Sequence, residues 1–470
     1  MKILNTILNL ILVLLLFVSC KEEKPNVLFI AVDDLRPELS CYGHEKIISP
    51  NIDKLASNGL MFVNAYCNVP VCGASRASLL TGMRPTADRF VGYNTWAEKD
   101  APGAVSLPQV FKNNGYYTIS NGKVFHHLND IRESWSEDPW NPAENGGSYL
   151  DYQADTNLAI LNSGSKRGMP YEAGDVDDDT YNDGVLAKKT INDLKRLKEM
   201  GKPFFLAAGF FKPHLPFTAP QKYWDLYSSD KISLPDNYSP PVNSPKAAIH
   251  NFGELRSYYG VPPEGPVSDE MAHDLIHGYY ACVTYVDAQI GRVLDALDDM
   301  GLSDNTIVVL WGDHGWQLGE HSLWCKHANF KTSLNAPLIV KAPGFKETGQ
   351  TQALVEFIDI FPSLCDLADI ELPQQLHGKS FVPLLNNPQK PWKDAVYSRY
   401  IWGESIKNQR YLYTEWTDEN GVMQGQMIYD HTNDPDENQN IISDVSIRDT
   451  VEVLKRKLHQ AIESREKYSD

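Results

Sequence analysis

Apolar residues run without interruption from Val27 to Val32 and stop abruptly at Asp33-Asp34. A run with no polar alternation predicts a strand buried on both faces of a sheet. Similar runs recur at residues 61–66, 204–211, 306–311 and 338–340, and Gly115-Tyr116-Tyr117-Thr118-Ile119-Ser120 predicts one more strand. Helical patterns lie between them. Ser49-Pro50-Asn51-Ile52-Asp53 opens one, carried on by Leu55 and Ala56. Residues 186–200 read as an amphipathic helix. Residues 279–300 read as another, with Val283, Val286, Ile290, Val293 and Leu297 on one face. Residues 359–367 add a further helix. Strand–helix alternation through about residue 385 predicts an α/β sandwich around a large, mostly parallel sheet. Past Leu376-His377-Gly378-Lys379-Ser380 the pattern changes. Residues 395–400, 409–414 and 426–429 read as short antiparallel strands, 434–438 as a turn and 445–466 as a closing helix. That predicts a small C-terminal α+β domain over 386–470, packed on a main domain over 26–385. Two stretches, 128–183 and 230–269, are rich in Asp, Asn, Gly and Pro with little periodicity. They read as excursions that shape a pocket.

Polar residues cluster where the predicted strands end, which is where α/β folds place ligand sites. Asp33 and Asp34 follow the first strand, and Lys123 and His126 follow the strand at 115–120. His214 follows the strand at 204–211, and Asp313 and His314 follow the strand at 306–311. Three carboxylates and an imidazole supply mostly hard donors, suited to calcium or magnesium better than zinc. Each acid alone could equally cap a turn. Neighbouring residues of a regular strand point to opposite faces, so Asp33 and Asp34 converge only if the chain bends there. Cys72 opens a helix, with residues 73–75 as its first turn. At that position unpaired N–H groups favour an anion, and Arg76 lies one turn further along the same face. On these residues alone, Cys72 reads equally well as a buried structural cysteine in a helix packed by Leu79 and Leu80.

Composition and charge narrow the picture. Hydrophobic content of 42% over 470 residues is that of a globular protein. With 43 Lys and Arg against 61 Asp and Glu, the net charge is −18, which argues against nucleic acid as partner. It also implies that a site for an anionic substrate must be a local positive island. Seven cysteines show no framework spacing, and no CxxC pair suggests a structural zinc site. At the N-terminus, Lys2 precedes an apolar run over 7–18 that ends at Ser19-Cys20. The run is short for a transmembrane helix and reads as a signal peptide over 1–19. Phe17-Val18-Ser19-Cys20 resembles a bacterial lipobox, with Phe where Leu is usual. The resemblance implies lipidation of Cys20, a tail over 20–25 and anchoring in the outer membrane. Lys21-Glu22-Glu23 is similar to an export signal for the cell surface. A plain cleaved signal, with a periplasmic or secreted protein, is the alternative.

Val71-Cys72-Gly73-Ala74-Ser75-Arg76, closed by Leu80-Thr81-Gly82, resembles the signature of the type I sulfatases. The resemblance extends over nearly the whole mature chain. Its carriers are Val32-Asp33-Asp34-Leu35-Arg36-Pro37, Gly122-Lys123-Val124-Phe125-His126, Phe211-Lys212-Pro213-His214-Leu215-Pro216-Phe217 and Asp313-His314-Gly315-Trp316, followed by Leu323-Trp324-Cys325-Lys326. Together they are similar to the iduronate-2-sulfatase branch and its bacterial members. The resemblance implies an alkaline-phosphatase-like fold and hydrolysis of sulfate esters. It implies that Cys72 is oxidised by a maturation enzyme to formylglycine (3-oxoalanine), whose hydrate is the nucleophile. Asp33, Asp34, Cys72, Asp313 and His314 are then expected to hold Ca2+, with Mg2+ as second choice. Lys123 and Lys326 would surround the sulfate and Arg76 would steady the nucleophile. His126 would accept a proton, and His214 would protonate the leaving alcohol. Ala74 stands where animal members have Pro. The expected substrate is a sulfated, uronate-containing polysaccharide or its oligosaccharides, ulvan or another algal glycan first and a glycosaminoglycan second. A phosphoester or phosphonate hydrolase of the same superfamily and a non-catalytic glycan-binding lipoprotein are the rival readings.

Overall fold

The computed structural model describes residues 24–145 and 147–466. The expected signal peptide, the lipobox Cys20 and Lys21-Glu22-Glu23 lie outside the described residues. Seven strands form the central sheet: β1 (Asn26–Val32), β2 (Leu60–Tyr66), β3 (Tyr117–Gly122), β4 (Phe204–Phe210), β5 (Thr306–Gly312), β6 (Leu338–Lys341) and β7 (Gly349–Glu356). Their order is β7-β2-β6-β5-β1-β4-β3. Strand β6 runs antiparallel to both its neighbours, and the other pairings are parallel.

Helices cover both faces: α1 (Pro50–Ser57), α2 (Cys72–Thr81), α3 (Leu107–Asn113), α4 (Asn182–Met200), α5 (Asp269–Asp299) and α6 (Ile360–Leu367). The uniform apolar run of β1 follows from this. Leu28, Ile30 and Val32 pack with α1, α4 and α5, whereas Val27, Phe29 and Ala31 pack with α2, α3 and α6. Both sets are wholly buried. Truncating a residue such as Phe29 to Ala therefore costs about 3–5 kcal/mol.

A second sheet follows, made of β8 (Val396–Tyr400), β9 (Gly403–Lys407), β10 (Tyr411–Thr417) and β11 (Met423–Asp430), antiparallel and in chain order. Helix α7 (Arg448–Glu466) sets Leu454 and Leu458 against Ile406, Tyr413 and Ile428 of that sheet. The sheet is tied to the region before α2, where Arg399 N–H donates to the Asn68 carbonyl at 2.8 Å.

The structure departs from the sequence expectation at several elements. Strand β7 escaped the apolar pattern because its first half, Gly349-Gln350-Thr351-Gln352, is polar, as an edge strand tolerates. Strand β9 escaped because Glu404 is charged, yet Arg399 and Arg465 pair with it inside. Helix α5 starts ten residues earlier than the apolar periodicity suggests. Its polar first turn is capped by Ser268, whose hydroxyl accepts from the Met271 N–H at 3.2 Å. The closing helix begins at Arg448, after a 3-10 turn at Val445–Ile447. The excursion over 128–183 carries a helix at Asp155–Asn162 and a strand at Tyr171–Gly174, paired in parallel with Phe217–Pro220. Among the described residues all six cysteines are free, and no helix is long and apolar enough to cross a membrane.

Candidate active site

Strands β5, β1, β4 and β3 are adjacent and parallel, so their C-terminal ends share one edge of the sheet. Asp313 and His314 leave β5, Asp33 and Asp34 leave β1, the turn bearing His214 leaves β4, and Lys123 leaves β3. The chains stay in register for one more step. Asp33 N–H donates to the Phe210 carbonyl at 3.1 Å, and Lys123 N–H donates to the Gly209 carbonyl at 2.8 Å. A Cβ on Gly209 would lie 2.0 Å from the Lys123 carbonyl oxygen, so only glycine lets these two ends close up.

Helix α2 begins at Cys72, which is buried, and its ten residues are all buried. Gly73 allows the loop at Tyr93 to lie on the helix start, where a Cβ would sit 2.1 Å from the Tyr93 carbonyl oxygen. Arg76 is wholly buried and gathers the strand ends. Its Nε donates to Asp313 Oδ2 at 2.9 Å, its Nη2 to Asp33 Oδ1 at 3.3 Å and its Nη1 to the carbonyls of Lys123 and Val124. Ser75 Oγ donates to the Asp313 carbonyl. The Ser-Arg pair of the signature is thus a clasp across three strand ends.

The acids converge. Asp34 takes a left-handed backbone, φ 61°, which supplies the bend that adjacent carboxylates need. Ligand atoms of Asp33, Cys72, Asp313 and His314 lie within 4.8 Å of one another, as do those of Asp33, Asp34 and His214. His314 is wholly buried. Its Nδ1 lies 2.9 Å from the Gly315 carbonyl, an acceptor only, so Nδ1 carries the proton. Its Nε2 lies 3.3 Å from Asp34 Oδ1 and 3.6 Å from Asp313 Oδ1 and, among the described residues, has no hydrogen-bond partner. A buried ring nitrogen left unpartnered between two carboxylates marks a place that a cation would fill. The donor set, mostly carboxylate oxygen with one imidazole, suits a hard divalent ion.

Cations interleave with these acids. Lys123 Nζ pairs with Asp33, and Lys326 Nζ lies 3.1 Å from Asp34 Oδ1 and 3.0 Å from Glu254 Oε1. Burial disfavours charge on both lysines, but Asp33 and Asp34 outweigh it and raise their pKa values above an ordinary lysine's. Burial also drives the two aspartates upward. At Asp33 the charges of Lys123, His214 and Arg76 win and its pKa falls well below the ordinary value; at Asp34 burial wins and the pKa rises. Burial raises the Cys72 thiol, yet the charges of Lys123 and Lys326 help to bring its pKa below that of a free cysteine. His126 Nδ1 is 3.4 Å from Cys72 Sγ. Burial, then Lys123, pulls the His126 pKa down to about 3, so the ring is neutral at neutral pH.

His214 has acceptors at both nitrogens. Nδ1 meets the Leu215 carbonyl at 2.6 Å and the Tyr149 hydroxyl at 2.9 Å, and Nε2 lies 3.1 Å from Glu254 Oε1. Asp183, which accepts from the Phe211 and Lys212 N–H groups at 2.8 Å each, fixes the turn that presents it. Glu254 and Tyr149 were missed in the sequence. They belong to the two aperiodic excursions, where no spacing ties them to the strand ends. Burial would raise the Glu254 carboxyl, but Lys326 and His214 outweigh it and hold it well below its ordinary range.

Every residue singled out in the sequence for this site meets at one sheet edge. A pocket of about 780 Å³ opens over it, within the range of small-ligand sites. Cys72, Lys123, His126, His214 and Lys326 form its floor. Asn141, Tyr149 and Arg167 from the first excursion and His250, Asn251 and Glu254 from the second line its walls. The expected positive island is not intrinsic to the protein. Within the buried cluster Asp33, Asp34, Asp313 and Glu254 outnumber Arg76, Lys123 and Lys326, and a divalent cation held among the acids would tip the balance.

Comparison with known proteins agrees with this chemistry. Residues 25–370 match the Sulfatase family model, and residues 319–464 match that of the N-sulphoglucosamine sulphohydrolase C-terminal region. Human iduronate 2-sulfatase is 36% identical over 397 residues, covering 76% of this chain and 71% of that protein. A sulfatase of Formosa agariphila is 32% identical, covering 92% of this chain and 86% of that one. The ulvan-active sulfatase of the same organism is 27% identical, covering 94% and 84%. Among solved structures, one in complex with its substrate D-glucosamine-2-N,6-O-disulfate superposes with a TM-score of 0.76 at 22% identity, covering 95% of this chain and 98% of that one. A phosphonate monoester hydrolase of Agrobacterium radiobacter also gives 0.76 at 22% identity, covering 94% and 96%. At those identities the structures share the fold alone. The family match across most of the chain and the 36% identity to human iduronate 2-sulfatase carry more: the chain belongs to the sulfatase family and is a sulfuric ester hydrolase.

Proposed function

We propose that this sulfatase removes sulfate from a sulfated, uronate-containing polysaccharide or its oligosaccharides, ulvan or another algal glycan first among them. The observation that carries the reading is the pocket, in which the Cys72 helix start and the cations beside it lie beneath walls built from two long excursions. Such walls suit a sugar substrate better than a small free ester. The similarity to an ulvan-active sulfatase supports the algal choice, and the higher identity to iduronate 2-sulfatase supports a glycosaminoglycan as the second reading.

In this reading Asp33, Asp34, Cys72, Asp313 and His314 hold Ca2+, which the unpartnered Nε2 of His314 and the carboxylate-rich donor set both favour. The ion would polarise a sulfate oxygen and offset repulsion between an anionic ester and an oxygen nucleophile. Cys72, oxidised to formylglycine by a maturation enzyme, would supply that oxygen. Lys123 and Lys326 bind sulfate oxygens, and each is close enough to an aspartate to stay charged while doing so. Arg76, buried and fully engaged, holds the helix start against the strand ends. His126, neutral at working pH, takes the proton from the nucleophile. As the ester S–O bond breaks, His214 delivers a proton to the departing sugar oxygen. The net reaction consumes water and yields alcohol, sulfate and a proton. The lipobox-like Phe17-Val18-Ser19-Cys20 supports a lipid anchor in the outer membrane with the enzyme facing outward.

The test is sulfate release, followed by ion chromatography, from ulvan, heparan sulfate and dermatan sulfate oligosaccharides. It uses protein co-produced with a maturation enzyme, formylglycine verified by mass, and Cys72→Ala as control. Release from ulvan alone sustains the first reading, and release from the glycosaminoglycans alone sustains the second. Turnover of a phosphonate monoester with no sulfate release from any polymer would overturn both.

A further inference from the structure

Three cationic side chains of the Lys and Arg type line the pocket: Lys123, Lys326 and Arg167. Lys123 is paired with Asp33, and Lys326 with Asp34 and Glu254. Arg167, among the described residues, has no carboxylate partner, and no hydrogen bond from its guanidinium to a protein acceptor is present. It is not a loosely tethered surface group. The guanidinium carbon lies 4.7 Å from the ring centroid of Tyr258, a buried residue of the second excursion. The backbone around it is pinned from both excursions. The Arg167 carbonyl accepts from Ser165 Oγ at 2.7 Å and the Gly168 carbonyl from the Tyr259 N–H at 2.9 Å. The Met169 N–H donates to Asn157 Oδ1 at 2.7 Å and the Met169 carbonyl accepts from Tyr152 at 2.6 Å. The contact with the Tyr258 ring holds the guanidinium in place and leaves its N–H donors for an acceptor from outside the protein.

We propose that Arg167 is a specificity residue that binds the carboxylate of a uronate sugar, the sulfated residue itself or its neighbour, while sulfate sits over Cys72. The inference rests on the substrate reading given above and assigns a side chain to it. A guanidinium presents a rigid fork matched to the two oxygens of a carboxylate, and pre-ordering by Tyr258 lowers the entropic cost of the contact. A lysine at this place would lack the fork.

The experiment compares kcat and KM on three substrates: a sulfated uronate disaccharide, its carboxyl-reduced counterpart and a disulfated disaccharide without uronate. An aryl sulfate reports that the enzyme is competent. Wild type, Arg167→Ala, Arg167→Gln and Arg167→Lys are compared, Gln keeping bulk and Lys keeping charge. The expected result is a wild-type preference for the carboxylated over the reduced disaccharide of roughly 10- to 100-fold, expressed mainly in KM, the range of a charge-assisted bidentate contact. Ala and Gln should shrink that ratio to within about threefold, and Lys should fall between. An equal loss on both disaccharides, or a ratio unmoved in both Ala and Gln, would overturn the inference while leaving the substrate reading intact. If the variants instead lose only a preference for the disulfated sugar, the anion bound is a second sulfate and the carboxylate assignment is wrong. If wild type cleaves the aryl sulfate but not the uronate disaccharide, the substrate reading falls and this inference with it.

Discussion

Two clusters of buried charge sit on opposite sides of helix α2, and they are built to different ends. Beyond its C-terminus, Glu356 and Asp359 meet Arg84 and Lys393, two acids against two bases. All four carboxylate oxygens there accept hydrogen bonds, from Arg84, Lys393, the Asn68 side chain and the backbone of Glu356, Tyr397 and Lys379. At its N-terminus, Asp33, Asp34, Asp313 and Glu254 meet Arg76, Lys123 and Lys326, and His314 Nε2 and Glu254 Oε2 are left without partners. In the first cluster acids and bases balance and every carboxylate oxygen is answered, Arg84 Nη1 being its one charged atom left over, and it joins the large sheet to the segment that leads into β8. The second is open by one cation and exposes its edge to a pocket. A balanced buried network holds chain segments together; an unbalanced one stores a demand for a ligand.

The largest effect belongs to the open cluster. Cys72→Ala removes the residue at the helix start and should lower sulfate release by roughly 10^4 or more, as loss of a nucleophile does elsewhere. It should leave the melting temperature near wild type, because the change deletes one sulfur atom. Activity of the alanine protein within tenfold of wild type would show that Cys72 is not where the chemistry occurs.

His314→Ala tests the openness directly. Wild type should gain about 2.7 kcal/mol of stability at calcium concentrations a hundred times Kd, and chelation should reverse the gain. The variant should need at least roughly 100-fold more calcium for the same shift, with sulfate release falling in step. Thermal melts across a calcium titration, with magnesium and zinc in parallel, read this without any substrate. A variant that responds to calcium as wild type does would remove His314 from the ligand set.

The closed cluster should instead answer to pH. Burial pushes the Glu356 carboxyl up, but Arg84 and Lys393 outweigh it and bring its pKa down to about 2. A carboxylate depressed in the folded state adds stability that is complete above its unfolded pKa, about 4.5, and is lost as pH falls through 2. The contribution is about 3 kcal/mol, offset in part by Asp359, whose carboxyl burial raises. Glu356→Gln should therefore be less stable than wild type at pH 7, with the gap narrowing below pH 4.5. Chemical denaturation at pH 7, 5 and 3 measures it, and a gap that is constant with pH would mean that the loss is one of packing.

The contrast also explains how much of the molecule was legible in the sequence. The sheet was legible because β1, β4 and β5 are covered on both faces and so read as unbroken apolar runs. The acids and His314 were legible because each follows such a run directly. Strands β7 and β9 were not, since an edge position and the buried pair Glu404–Arg399 put polar residues where the pattern expects apolar ones. Glu254, Tyr149 and Arg167 were not legible as a site, because they reach the pocket from excursions whose local sequence carries no period. The bend at Asp34 is a requirement of convergence that the local sequence does not dictate, for nothing in Val-Asp-Asp-Leu forces a positive φ.

Tyr149 tests the smallest part of the open cluster. Its hydroxyl lies 2.9 Å from His214 Nδ1, which also meets the Leu215 carbonyl, while Glu254 holds Nε2, so it is one of three groups that orient the ring. Removing one neutral hydrogen bond of this kind is worth about 1 kcal/mol, or roughly fivefold in rate. Tyr149→Phe keeps the ring and its edge contacts with Phe211 and His214. If His214 delivers the proton to the leaving oxygen, the loss should fall on kcat and grow as the leaving group becomes more basic. It should be small for an aryl sulfate and larger for a sugar sulfate. Equal loss on both substrates would mean that Tyr149 shapes the wall of the pocket and that the Leu215 carbonyl and Glu254 set the ring.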